Sequence, residues 1–124
     1  MIYLDTHAAA WLYQGAVRQF SVAARRSIER EELTVSPMVE MELSLLHEIG
    51  RIRPSAQTII RVLEENFGVR VCSLSFGQVV RVAAGEQWTR DPFDRIIVAQ
   101  AKANGAGLVT RDERIRRNYD RAIW

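Results

Sequence analysis

Four short apolar runs, "MIYL", "LTVS", "VRVCS" and "GLVT", are separated by longer stretches with helical spacing. Strands alternating with helices cannot pair as hairpins, so the chain must build a mostly parallel sheet covered by helices on both faces. Such a sheet concentrates chemistry at the carboxyl ends of its strands. The stretch "MIYLDTHAAAWLY" sharpens that constraint, because an acid follows the first strand directly and an apolar helix follows the acid. Asp5 therefore has two open roles: it caps the helix, or it stands in a site at the sheet edge.

The remaining elements follow from spacing and breakers. Residues 7 to 14 form a short helix ended by Gly15, and "RQFSVAARRSIEREE" reads as one second helix. Ser36-Pro37 opens a third helix running to about Ile49 and Gly50, since serine accepts an orphan N–H and proline suits the first helical position. Ser55 starts another through about Asn66, before Gly68. "FGQVVRVAAG" is helical in pattern, Asp91-Pro92 opens "PFDRIIVAQAKAN", a last turn or helix begins near Asp112, and "RAIW" forms an edge strand or a tail. With 124 residues, no repeat and no low-complexity segment, the chain is expected to be a single domain spanning residues 1–124.

Composition excludes several classes. Cys72 is the only cysteine, so no intrachain disulfide or multi-cysteine metal site exists, and its apolar setting predicts a buried thiol. The longest unbroken apolar run, "AAAWLY", is far below the ~20 residues of a membrane span. The start lacks the basic and apolar regions of a secretory signal, which makes the cytoplasm the simplest location. Of 17 basic residues only Lys102 is lysine. The arginine forks suit phosphate, but a net charge of +2 adds little to a nucleic-acid reading.

Four acids carry the chemistry. In "PMVEMELSLLHEIG", Met38, Met41, Leu45, Leu46 and Ile49 are expected to form the core stripe, and Glu42 falls on the same side. Asp94 occupies the third position of its helix, where a capping acid fits, but it also shares a face with Ile97, Val98 and Ala101. Asp112, like Asp5, follows a short strand, so parallel packing brings both toward one sheet edge. Capping explains each acid alone. Together, two acids after strands and two on inward helix faces imply a shared pocket that needs a cation to offset repulsion. Magnesium, with manganese as a substitute, matches hard oxygen ligands and retains water for attack on phosphate. Arg95 and Arg111 are the adjacent candidates to hold phosphate oxygens. His7 and His47 are not expected to do acid–base work, and Trp11, Trp88 and Trp124 form no obvious base-stacking series.

The ordered set "YLDTHAAAWL", "VSPMVEMELSLLHEIGRI", "RDPFDRIIVAQA" and "LVTRDERI" resembles the PIN-domain ribonucleases, specifically the VapC-like toxins of toxin–antitoxin pairs, over nearly the whole chain. That resemblance implies an α/β/α sandwich around a short, mostly parallel sheet, and divalent-metal-dependent endoribonuclease cleavage of RNA. It assigns Asp5, Glu42, Asp94 and Asp112 to the metal-binding and catalytic centre, with Thr6 and Thr110 as supporting polar residues. It further implies a cognate antitoxin and a homodimer, and no membrane. The stretch "FGQVVRVAAGEQWTRD" departs from close relatives, which bears on substrate preference rather than on metal binding.

Three other readings compete. A response-regulator receiver needs a second early acid and a late-strand lysine, both missing here. A haloacid-dehalogenase phosphatase needs an aspartate where His7 stands. A noncatalytic RNA- or antitoxin-binding domain with this fold is the remaining alternative, and retention of all four acids weighs against it.

Overall fold

The first strand, β1 (Ile2–Leu4), is fully buried, with Ile2, Tyr3 and Leu4 each at 0% exposure. A strand covered on both faces sits at the centre of a sheet, not at its edge. The computed structural model, which describes residues 1–124, places it there. β1 pairs in parallel with β2 (Leu33–Val35) on one side and with β4 (Gly107–Val109) on the other. β3 (Arg70–Val71) and β5 (Ala122–Ile123) form the edges, giving the all-parallel order β3-β2-β1-β4-β5. The final "RAIW" is thus partly an edge strand.

Connections from β1 to β2 to β3 step one way, and those from β3 to β4 to β5 step back. Right-handed crossovers therefore put α1 (Thr6–Gln14), α2 (Val22–Arg30), α3 (Pro37–Glu48) and α4 (Ala56–Phe67) on one face. The same rule puts α5 (Phe76–Ala83), α6 (Pro92–Ala103) and α7 (Glu113–Asn118) on the other. Packing within each layer agrees, since α1, α3 and α4 touch one another and α5 lies along α6, while α3 also meets α6, where Ser36 bonds Gln100. This is the expected α/β/α sandwich. No helix is long and apolar enough to cross a membrane.

Local chemistry sets the element ends. The side chains of Asp5, Ser21, Ser36, Ser55, Ser75, Asp91 and Asp112 all cap helices. Gly15, at φ 67°, closes α1 in the left-handed conformation that glycine adopts without penalty.

Three expectations need correction. The second helix is not continuous: a 3-10 turn (Val17–Gln19) precedes α2, because Ser21 caps a fresh start through Ala24 N at 3.1 Å and Phe20 turns inward. The buried side of α3 is Val39 and Leu43, whereas Met41, Leu45 and Ile49 are 54%, 41% and 67% exposed. The most apolar stripe of α3 thus faces outward, and Glu42 lies half-buried at the boundary of the true core face. Cys72 is half-buried, not buried, and its sulfur accepts the Tyr3 hydroxyl at 3.0 Å. Burial and this bond raise the Tyr3 phenol well above its ordinary pKa.

Candidate active site

The strand order reverses direction between β1 and β4, and a crevice opens outside the carboxyl ends of strands at such a point. Asp5 leaves β1 there and donates its backbone N–H to Val109 O on β4 at 3.1 Å. Its side chain, 7% exposed, accepts from Ala8 N at 2.8 Å and so caps α1. Capping and a place in the crevice are both true of Asp5. Burial is the largest cause raising its carboxyl pKa, with the Glu42 charge adding to it, while the Thr110 hydroxyl, Ala8 N and His7 oppose the rise.

Two buried threonines tie the acids together. Thr6, 2% exposed, donates its hydroxyl to Glu42 Oε1, linking the start of α1 to α3. Thr110, 0% exposed, accepts Asp112 N at 3.1 Å at the end of β4, and its hydroxyl is near enough to the Asp5 carboxyl to lower that pKa. Asp112 is exposed and caps α7 through Ile115 N at 2.9 Å.

Asp94 completes the group from the opposite face. Asp91 caps α6 through Phe93 N at 2.8 Å and Asp94 N at 3.4 Å, which leaves the Asp94 carboxylate free of capping duty. Ile97, Val98 and Ala101 on its face are at 2%, 0% and 0% exposure, so Asp94 looks inward as its spacing predicts. Its carboxyl pKa is pushed up to about 7, first by desolvation and then by the charges of Asp91, Asp112, Glu42 and Asp5. Asp94 therefore feels the charges of Asp5, Glu42 and Asp112 from the other side of the crevice.

No group of three or more His, Cys, Asp or Glu side chains is arranged so as to hold a metal ion. Asp5, Glu42 and Asp112 each commit an oxygen to a hydrogen bond, and joint ligation would need side chains to rotate or water to bridge. The donor set still fits a hard divalent cation, because all donors are carboxylate oxygens and their mutual repulsion is what a cation relieves.

The two candidate arginines differ. Arg95 Nε donates to Thr89 O at 2.7 Å, so part of its fork is spent on the loop before α6. Arg111 is exposed and makes no ion pair. His7 is exposed beside the crevice, and His47 Nδ1 lies 3.2 Å from Ile52 O.

One buried acid had no signal in the sequence. Glu86, 3% exposed, accepts Lys102 Nζ at 2.7 Å and the Trp88 indole N–H at 2.7 Å. Arg114 then reaches Trp88 O at 3.0 Å, so the loop before α6 is pinned from α6 and α7, the helices whose starts carry Asp94 and Asp112. The irregular run "GEQWT" has no period from which this could be read.

An apolar groove of about 360 Å³ lies elsewhere, where Met38 and Met41 of α3 face Leu74, Phe76 and Ile96. It holds none of the four acids.

Comparison with known proteins bears on this arrangement. The family model for the PIN domain matches residues 2–121. The chain is 32% identical over 117 residues to Ribonuclease VapC22 of Mycobacterium tuberculosis, covering 93% of this chain and 89% of that protein. Among solved structures, VapBC2 from Rickettsia felis bound to a promoter DNA fragment superposes with a TM-score of 0.62 at 16% identity, covering 94% of this chain and 92% of that one. The Mycobacterium tuberculosis VapC20, described as a Sarcin-Ricin loop cleaving toxin, also gives 0.62, at 17% identity and with 96% and 95% coverage. At these identities the two structures speak for the fold alone.

Proposed function

The chain belongs to the PIN-domain family, and on that premise we propose that it is a divalent-metal-dependent endoribonuclease, the toxin of a toxin–antitoxin pair. The observation that carries the proposal is the convergence of Asp5, Glu42, Asp94 and Asp112 on one crevice, expressed in the raised pKa of Asp94. Acids whose charges raise one another's pKa without a counter-charge favour a cation, and Mg2+ is the ion their hard oxygens favour, with Mn2+ as substitute.

When bound, the ion supplies Lewis-acid charge that activates water and offsets the charge developing on phosphoryl oxygens. The chain does the rest. Asp5, Glu42 and Asp94 would hold the ion, with Asp112 completing the centre. Thr6 orients Glu42, and Thr110 keeps Asp5 and the Asp112 backbone in register. Arg111, free of acidic partners, takes the RNA phosphate, with the remaining nitrogens of Arg95 as its companion.

The partners are RNA in the cytoplasm, a cognate antitoxin and a second copy of the chain. Self-association has a surface to use: Met41, Leu45 and Ile49 on α3 and Phe76, 72% exposed, on α5 are large apolar side chains left in solvent.

The test is to incubate antitoxin-free protein with total cellular RNA and to map new ends by sequencing, with Mg2+, Mn2+ or chelator. Discrete metal-dependent ends, absent with Asp5→Asn, are expected. A folded protein that binds Mg2+ and yields no ends would favour a noncatalytic interaction role.

A further inference from the structure

We infer that the depression bordered by Trp124 and α7 is a binding subsite for an unpaired RNA nucleotide next to the cleaved bond, an inference that rests on the ribonuclease reading above. α1 leaves the acid centre with His7 and Trp11 one turn apart, the spacing that stacks side chains on one helix face. Their ring centroids are 5.9 Å apart. Trp124, just after β5, joins them at 5.8 Å from Trp11 and 5.9 Å from Phe20. Phe20 is buried, His7 is exposed, and Trp11 and Trp124 are half-buried. The sequence scatters these rings, but the fold gathers them into a row that starts two residues from Asp5.

Trp124 also lines an open depression of about 500 Å³ with Glu113, Arg116, Arg117 and Ala122. Neither Trp11 nor Phe20 lines it, so Trp124 packs on those rings with one surface and offers another to solvent. Small-ligand sites commonly fall in the range of ~300–1,000 Å³. Glu113 follows Asp112 in the chain, so the depression begins one residue along α7 from that acid, and none of the four acids lines it. Arg116 and Arg117 are exposed and form no ion pair with any acid of the chain.

A half-buried indole with one surface on the depression, beside two exposed guanidiniums, offers a stacking surface and phosphate forks together. Duplex RNA hides its base faces, so only an unpaired nucleotide can use both. An acidic peptide would use the arginines and leave the indole idle.

The test is fluorescence anisotropy with a short single-stranded oligoadenylate, its abasic counterpart, the matching duplex and polyglutamate, on Asp94→Asn protein so that nothing is cut. Trp124→Ala is expected to weaken oligoadenylate binding roughly ten-fold, with Trp124→Phe retaining most of it and abasic binding unchanged. Arg116→Ala with Arg117→Ala is expected to weaken oligoadenylate and abasic strands alike and to flatten the salt dependence. These two exposed positions keep the test open if Trp124→Ala fails to fold. Equal oligoadenylate affinity in the Trp124 variants and the parent, or equal preference for duplex or polyglutamate, would overturn the subsite. RNA cutting with unchanged Trp124→Ala affinity would sink the subsite alone. Base-dependent binding through Trp124 in the Asp94→Asn protein, with no RNA cut by protein that retains Asp94 in Mg2+ or Mn2+, would support a nucleotide-binding site there and refute the ribonuclease reading.

Discussion

Thr6 adjoins Asp5 in the sequence yet donates its hydroxyl hydrogen bond to Glu42, 36 residues away. One residue thereby couples two candidate ligands held on different elements. Thr6→Val keeps the shape and removes the donor. Glu42 is half-buried and regains water, so the stability cost should be only ~1 kcal/mol. Mg2+ affinity should fall measurably in isothermal titration, and Thr6→Ser should restore it. An affinity equal to the parent's in Thr6→Val would remove Thr6 from the centre.

Asp5 serves as cap and candidate ligand, and two substitutions separate the roles. Asparagine caps nearly as well as aspartate, whereas alanine loses the bond to Ala8 N, typically at ~1 kcal/mol. Burial also disfavours the Asp5 charge. Metal-free Asp5→Asn should therefore melt at or above the parent at neutral pH, Asp5→Ala should melt below Asp5→Asn, and both should lose RNA cleavage. Retained cleavage in Asp5→Asn would exclude this carboxylate from the chemistry.

The pH dependence follows from Asp94. Its pKa is raised from 3.8 to about 7 in the folded chain, so between those values the folded state keeps a proton that the unfolded chain has released. The folded state then binds more protons, and metal-free stability should fall as pH rises through that window and level off above about 7. A cation displaces the proton. Mg2+ affinity should thus strengthen up to about pH 7, with proton release visible as a buffer-dependent heat of binding. Pairs of denaturation curves at acid and neutral pH, with and without Mg2+, check the sign.

Glu86 and Lys102 make the one side-chain ion pair in the chain, with Glu86 at 4% side-chain exposure and Lys102 at 55%. Lys102→Met leaves a buried carboxylate with the Trp88 indole as its remaining donor. Urea denaturation should show a loss of ~1–3 kcal/mol, below the full cost of a wholly buried pair because Lys102 is half in water. Adding Glu86→Gln should return part of it. Independent, additive effects would mean the pair does not hold the loop before α6.

Phe76 and Met41 test the apolar surface. Phe76→Glu or Met41→Glu should convert the proposed homodimer to a monomer in sedimentation velocity without lowering the melting temperature of the metal-loaded monomer, since both side chains are exposed. An unchanged sedimentation coefficient in both variants would move the interface elsewhere.

Legibility tracked the range of the interaction. Capping is local, so Asp5, Ser36, Ser55, Asp91 and Asp112 could be placed at helix starts from a few neighbours, and the strand–helix alternation led to a parallel sheet. α3 shows the limit. Its strongest apolar stripe includes Met41, Leu45 and Ile49, yet the sheet takes Val39 and Leu43, because a periodic pattern identifies a face and not what it meets. Thr110 and Glu86 depended on partners that no spacing could reveal.

The sequence by itself determined most of the elements and which acids stand at element ends, since these rest on contacts within about a helical turn, and the strand–helix alternation implied the parallel class of the sheet. Only the tertiary structure decided that Asp5, Glu42, Asp94 and Asp112 share one field, that Thr6 and Thr110 bridge them, and that the Trp11, Phe20 and Trp124 rings meet. Those relations depend on the strand order and on the reversal between β1 and β4. Electrostatic and ring contacts act over a few ångströms in space whatever the separation along the chain, so they exist only once the sheet has brought distant residues to one edge.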